Sequence, residues 1–185
     1  MNQRDLDARL DRNRAAVDQL IDAAVETPTG SWFVRPAPDK WTPAQQVSHI
    51  ALSYAGITAD VRDGVRARLI GTARRRLFWR VFGLSQVLWL GRIPPGARSP
   101  REIHPPDDSP ERGALLHQLR GRVSEFEAAV RQTWRTTPMH RVAHPYFGSL
   151  SLGQAIRVCE VHTMHHAAIL ERESVSIRKT VLVHQ

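Results

Sequence analysis

Three histidines, His49, His162 and His166, have the side-chain type and the spacing to hold one divalent metal ion. His162 and His166 stand four apart in Glu160-Val161-His162-Thr163-Met164-His165-His166, which on a helix puts both rings on one face, about 5 to 6 Å apart. A third imidazole from another helix makes a three-nitrogen set with a coordination position left open, which is what catalysis by a bound metal needs. His49 is the candidate for that third ligand. The competing interpretation is that these are core or edge histidines satisfied by hydrogen bonds, since polar groups on a buried helix face need partners in any case.

Two neighbours compete for a place in the set. His165 is three residues from His162, and steps of three and four both return to the same side of a helix. Cys159 is also three from His162, but it is seven from His166, a rise of roughly 10.5 Å. Ligand bonds of about 2.0 to 2.3 Å keep the donors of one ion much closer than that, so Cys159 is expected to be a small buried hydrophobe. His144, before Pro145, is a candidate substrate contact. Arg157, five residues before His162, is a candidate partner for a carboxylate-bearing cosubstrate or an ordinary exposed arginine. His104, His117, His140 and His184 have no patterned neighbours, and no Asp or Glu is placed as an obvious general base.

The elements that must position these residues read as helices. Apolar residues Leu6, Leu10, Val17, Leu20, Ile21 and Val25 recur mostly at steps of three and four, the mark of an amphipathic helix. Thr42-Pro43-Ala44-Gln45 is a start signal, with Thr42 as N-cap, Pro43 in the first turn and Gln45 closing a capping box. It predicts a second helix that carries His49 and runs to about Leu69. Ser109-Pro110 opens another, striped by Leu115, Leu116, Leu119, Val123, Phe126, Val130 and Trp134. After a turn-rich stretch from Thr136 to Gly148, Ser151-Leu152-Gly153-Gln154 forms a second capping box and starts the helix of His162 and His166. Strand-type alternation is scarce.

The fold class expected from this is all-α: a four-helix bundle with a short additional apolar helix after the second bundle helix. Bundle cores commonly take metal sites from facing helices. The extra helix lies in Leu77 to Leu90, where Phe78, Trp79, Phe82, Leu84, Val87, Leu88 and Trp89 follow the run Arg74-Arg75-Arg76. Fourteen residues containing Arg80 and Gln86 are too few to span a bilayer, which takes about 20. Gly91 to Ser109, with five prolines, is an irregular surface connection.

At 185 residues the chain fits a single domain, 1–185, with a core over about 5–172 and a tail, 173–185, of unknown role. One cysteine excludes an internal disulfide framework, and no apolar run resembles a cleavable leader. A cytoplasmic location is the expectation. The formal charge of +8 comes almost wholly from arginine, spread along helix faces. The one dense run is too short, without stacking aromatics in a known module, to announce a nucleic-acid partner, so none is expected.

The segments Trp41-Thr42-Pro43-Ala44-Gln45 with His49 downstream, His144-Pro145-Tyr146-Phe147-Gly148-Ser149-Leu150-Ser151-Leu152-Gly153-Gln154, and His162-Thr163-Met164-His165-His166 together resemble the DinB-like (YfiT-like) superfamily. The likeness covers about residues 5 to 172. It implies a four-helix bundle, often a homodimer, with one divalent ion (Zn, Ni, Mn or Fe) on His49, His162 and His166, and it leaves His165 as a neighbour of the site or solvent-facing. Relatives of this type include transferases and isomerases that use low-molecular-weight thiols such as bacillithiol or mycothiol, and many others that carry only the label of metal-dependent hydrolase. The family usually has a polar residue such as Gln after the paired histidines, where this chain has Ala167-Ala168-Ile169-Leu170.

The function expected is thus a metal-dependent enzyme acting on a small molecule, by thiol S-transfer or by hydrolysis. A second expectation, from a different class, is a non-catalytic binding or scaffolding protein whose apolar segment 77–90 docks on a protein partner or a membrane surface.

Overall fold

The computed structural model describes residues 1–65, 67–94 and 99–183, with side chains described to residue 175. Arg66, Pro95 and His184, named above or within the stretches read above, lie outside the described residues, as do the side chains of most of the tail.

Five helices form where the apolar periodicity is strongest. Helix α1 spans Gln3–Glu26 and opens on a reciprocal capping box between Asn2 and Asp5. Its buried stripe, Leu6, Leu10, Asn13, Val17, Leu20 and Ile21, faces α5. Helix α2 spans Pro43–Asp63 and starts on the expected Thr42/Gln45 box with Pro43 in its first turn. It ends six residues before the expected stop. Gly64 adopts φ +68°, a left-handed conformation that favours glycine, and its N–H returns to the carbonyls of Ala59 and Asp60. Val65 and Leu69, read from periodicity as apolar and helical, are instead exposed beyond that cap.

Helix α3, Ala73–Phe78, continues into two wide π-type turns, Trp79–Gly83 and Gln86–Leu90. The apolar helix expected here exists, but only half of it is core. Trp79, Leu84 and Val87 are buried, whereas Leu77, Phe78, Val81, Phe82, Trp89 and Leu90 face solvent. Gly83 is required by close packing: a Cβ there would lie 2.7 Å from the Trp79 ring and 3.2 Å from that of Phe147.

Helix α4, Arg112–Thr136, begins two residues after the expected Pro110, without a side-chain cap. Ser109 does not cap it because its hydroxyl donates back to the Pro106 carbonyl. Helix α5, Leu152–Val183, runs straight through the stretch set apart above as a tail. Its entry is the expected box, with Gln154 Oε1 accepting from Ser151 N (2.9 Å) and Ser151 Oγ from Gln154 N (3.3 Å).

The mostly helical architecture agrees with the all-α expectation, with one addition that it did not include: a small antiparallel sheet of β1, Arg141–His144, and β2, Gly148–Ser151, with Val142 opposite Leu150 and His144 opposite Gly148. Four-residue strands are too short to show a period, and the turn residues between them dominate the reading. The hairpin is fastened from three sides. Asp60 of α2 accepts from Ala143 N at 3.0 Å, Ile70 N donates to the Pro145 carbonyl, and Arg80 donates to the carbonyls of Phe147 and Ser149 at 2.9 Å each.

The four long helices share one hydrophobic core, with α1 packed chiefly on α5, α2 on α4, and α2 also on α5. A buried polar chain fixes α2 against α1 and α5. The Tyr54 hydroxyl donates to Asn13 Oδ1 (2.8 Å) and lies 3.2 Å from Thr163 Oγ1. Thr163 is next to His162, so this chain sets the height at which the two histidine-bearing helices meet.

Candidate metal centre

His49, His162 and His166 converge. Each offers one ring nitrogen, and the three nitrogens lie within 4.8 Å of one another. His49 Nε2 is 3.1 Å from His162 Nε2, which is 3.2 Å from His166 Nε2. Donors about 2.0 to 2.1 Å from a common ion, at octahedral or tetrahedral angles, are separated by roughly 2.9 to 3.4 Å. Both distances fall in that range.

Electrostatics and hydrogen bonding prepare the same nitrogens. Burial pushes His49 down to about 4 and holds His162 and His166 well below the usual histidine range. At neutral pH each ring is uncharged, with one N–H and one lone pair. His49 Nδ1 is 2.7 Å from the Ile103 carbonyl and His166 Nδ1 is 2.5 Å from Gln46 Oε1. A carbonyl oxygen only accepts, so both Nδ1 atoms carry the proton and both Nε2 atoms present lone pairs. These point at His162 Nε2, where a single proton could not serve two acceptors well. A cation held by three lone pairs would resolve the conflict, and carbonyls behind ligating histidines fix tautomer and orientation in metal sites generally.

The elements explain the convergence. His49 lies in the N-terminal half of α2, where Pro43 to Ala51 are all buried. The turn Arg101–Ile103, in the proline-rich connection, packs on α2 and brings the Ile103 carbonyl to His49. Trp41, just before the α2 cap, covers the site: its ring stands 4.8 Å from His49 and stacks near-parallel with His166 at 6.3 Å, while His104 meets its edge at 5.6 Å.

Beside the trio is a cavity of about 750 Å³. His49 and His166 are buried, and His162 retains partial exposure. His144 lines the cavity. Its Nδ1 accepts from the backbone N–H groups of Tyr146 and Phe147 (3.2 Å each), and its ring stacks on Phe147 at 4.3 Å. Desolvation pushes His144 down to about 4, so it is a neutral ring whose proton is on Nε2. His165 lines the cavity too, edge-on to His166 at 5.3 Å, and is exposed.

Not every candidate is brought in. Arg157 pairs with Glu160 on another face of α5 and does not line the cavity. Cys159 lines the cavity but is outside the trio, and burial pushes its thiol up to about 12. Among the residues that sequence reasoning passed over, Gln46 has a signal: it is three residues before His49 on the same helix face. The Ile103 carbonyl has none, because it depends on how an irregular connection folds back.

A family model described as the DinB superfamily matches residues 9–170. The match takes in all three histidines and the hairpin, and the chain belongs to the DinB superfamily. No curated protein and no solved structure gave a match.

Proposed function

We propose that this protein is a metal-dependent transferase that joins a low-molecular-weight thiol to a small electrophilic substrate. In this reading the four long helices form the bundle, the whole chain is one domain, and a divalent ion sits on His49, His162 and His166. Three neutral imidazoles suit zinc, nickel or iron better than magnesium or calcium. When bound, such an ion lowers the pKa of a thiol or water ligand and thereby supplies a nucleophile at neutral pH.

The carrying observation is the close approach of three Nε2 atoms, those of His49 and His166 lying 3.1 and 3.2 Å from that of His162, on the wall of a 750 Å³ cavity. That volume is in the range of cofactor and drug-sized ligand sites, about 300 to 1,000 Å³. The chain's own residues then divide the work. His144, with Nε2–H fixed as donor by the hairpin backbone, donates to an oxygen of the electrophile. His165 contacts the substrate from the exposed side. Lys40 and Arg68, both in the cavity wall, meet carboxylates of the thiol. Trp41, Trp79, Tyr146 and Phe147 exclude water and favour an apolar substrate moiety.

Thiol transfer is preferred to hydrolysis because, among the described residues, no carboxylate groups with the three histidines to act as a base for water, Asp39 and Glu102 lining the cavity but standing outside the set, whereas a thiol on the ion would need none. The test is an assay of protein reloaded with zinc, nickel, manganese or iron. Low-molecular-weight thiols are supplied with alkyl halides or epoxides, and activated esters are assayed in parallel. Thiol consumption that stops in His49→Ala supports the reading. Ester hydrolysis without thiol consumption supports the hydrolase instead.

A further inference from the structure

The segment from Gly64 to Arg101 contains nine arginines and no Asp or Glu. Arginines also lie along the rest of the chain, but acidic residues offset them there: the charge of this segment exceeds the +8 of the entire chain, so the remainder is close to neutral. The same segment carries α3 and its π-type turns, where Leu77, Phe78, Val81, Phe82 and Leu90 are each more than half exposed and Trp89 is 83% exposed. Arg74 and Arg75 are exposed beside them. Arg76 donates to the Gly71 carbonyl and Arg80 to those of Phe147 and Ser149, contacts that hold the side chains without neutralising them.

We propose that this outer face docks on an anionic lipid bilayer, with the apolar side chains in the headgroup and acyl boundary and the arginines among the headgroups. A basic, aromatic-rich amphipathic helix lying in the interface plane has this composition, and a surface of anionic lipid supplies the charge complement. A second copy of the chain fits worse. A two-fold interface presents the same patch from both sides, which would bring a second arginine run into the interface with no carboxylate in the segment to offset either. The docking is peripheral, since no helix among the described residues is long and apolar enough to cross a membrane. The inner side of the docking segment contributes Trp79 to the cavity wall, but the proposal does not depend on the metal centre.

The test is co-sedimentation of the full chain with vesicles of phosphatidylglycerol and phosphatidylcholine, and with phosphatidylcholine alone, at physiological salt. Binding to the anionic vesicles only is expected, weakening as salt is raised. Arg74→Gln/Arg75→Gln lowers it about 25-fold, at about fivefold per arginine, and Phe82→Ser/Trp89→Ser abolishes it. Unchanged circular dichroism and thermal midpoint show that both variants remain folded. No binding to anionic vesicles overturns the proposal, and so does equal binding by the variants. Self-association that is lost in Phe82→Ser/Trp89→Ser without vesicle binding also overturns it, in favour of a second copy.

Discussion

Gln46 Oε1 lies 2.5 Å from His166 Nδ1, so one turn of α2 sets the tautomer of a candidate ligand on α5 while the next turn carries a candidate of its own, His49. The two contacts make α2 both a source of donor atoms and a brace for the opposite helix. Removing the acceptor tests the brace. Gln46→Leu is expected to weaken zinc binding about 10- to 100-fold, the usual effect of deleting a partner behind a metal ligand, while Gln46→Glu retains an acceptor and tight binding. Competition with a chromogenic chelator reads both.

The buried imidazoles make the metal-free protein acid-sensitive. His49 and His144 titrate near 4 when folded and near 6.5 when unfolded. Between those values the unfolded chain binds more protons, so stability rises with pH there and is lost as pH falls. The slope contributed by each group is at most about 1.4 kcal/mol per pH unit. Urea denaturation of stripped protein from pH 7 to pH 4 should show the decline beginning below about 6.5. A midpoint constant over that window would contradict the neutral, buried assignment.

Tyr54→Phe removes the donor to the buried Asn13 Oδ1. Leaving one buried acceptor unpaired costs about 1 to 3 kcal/mol, read as a lower denaturation midpoint. Because Tyr54 sets the height of α2 against α5 through Thr163 rather than touching the ion, metal stoichiometry should persist.

Cys159 is next to the site without belonging to it. Its thiol, held up to about 12 by burial, should react slowly with iodoacetamide at pH 8 and rapidly once the chain is unfolded. Cys159→Ala should bind metal as the parent does. Loss of the ion in that variant would put sulfur in the ligand set and remove His166, seven residues further along α5, from it.

The parts of this molecule legible in its sequence are those governed by local rules. The Thr42/Gln45 and Ser151/Gln154 boxes each started a helix where they stood, because cap chemistry is decided within four residues. The four-residue step between His162 and His166 was enough to place both rings on one side of α5. His49 was harder to place, yet its burial followed from the apolar residues around it. What could not be read depends on contacts distant in sequence. The β1–β2 hairpin is held by Asp60 and Arg80, some seventy to eighty residues away, and it is this hairpin that directs His144 into the cavity wall. The end of α2 turned on Gly64 rather than on the apolar pattern that continued past it. At 77–90 composition announced an apolar helix, but which of its side chains face outward is set by the packing of Trp79 and Gly83 against Phe147.

Metal stoichiometry measures the central claim most directly. Protein stripped with chelator, dialysed against micromolar zinc and analysed for metal should hold one ion per chain, and His162→Ala, which removes the nitrogen shared by both short contacts, should hold none. A parent protein that binds no ion, or a His162→Ala variant that binds as well as the parent, would contradict the account.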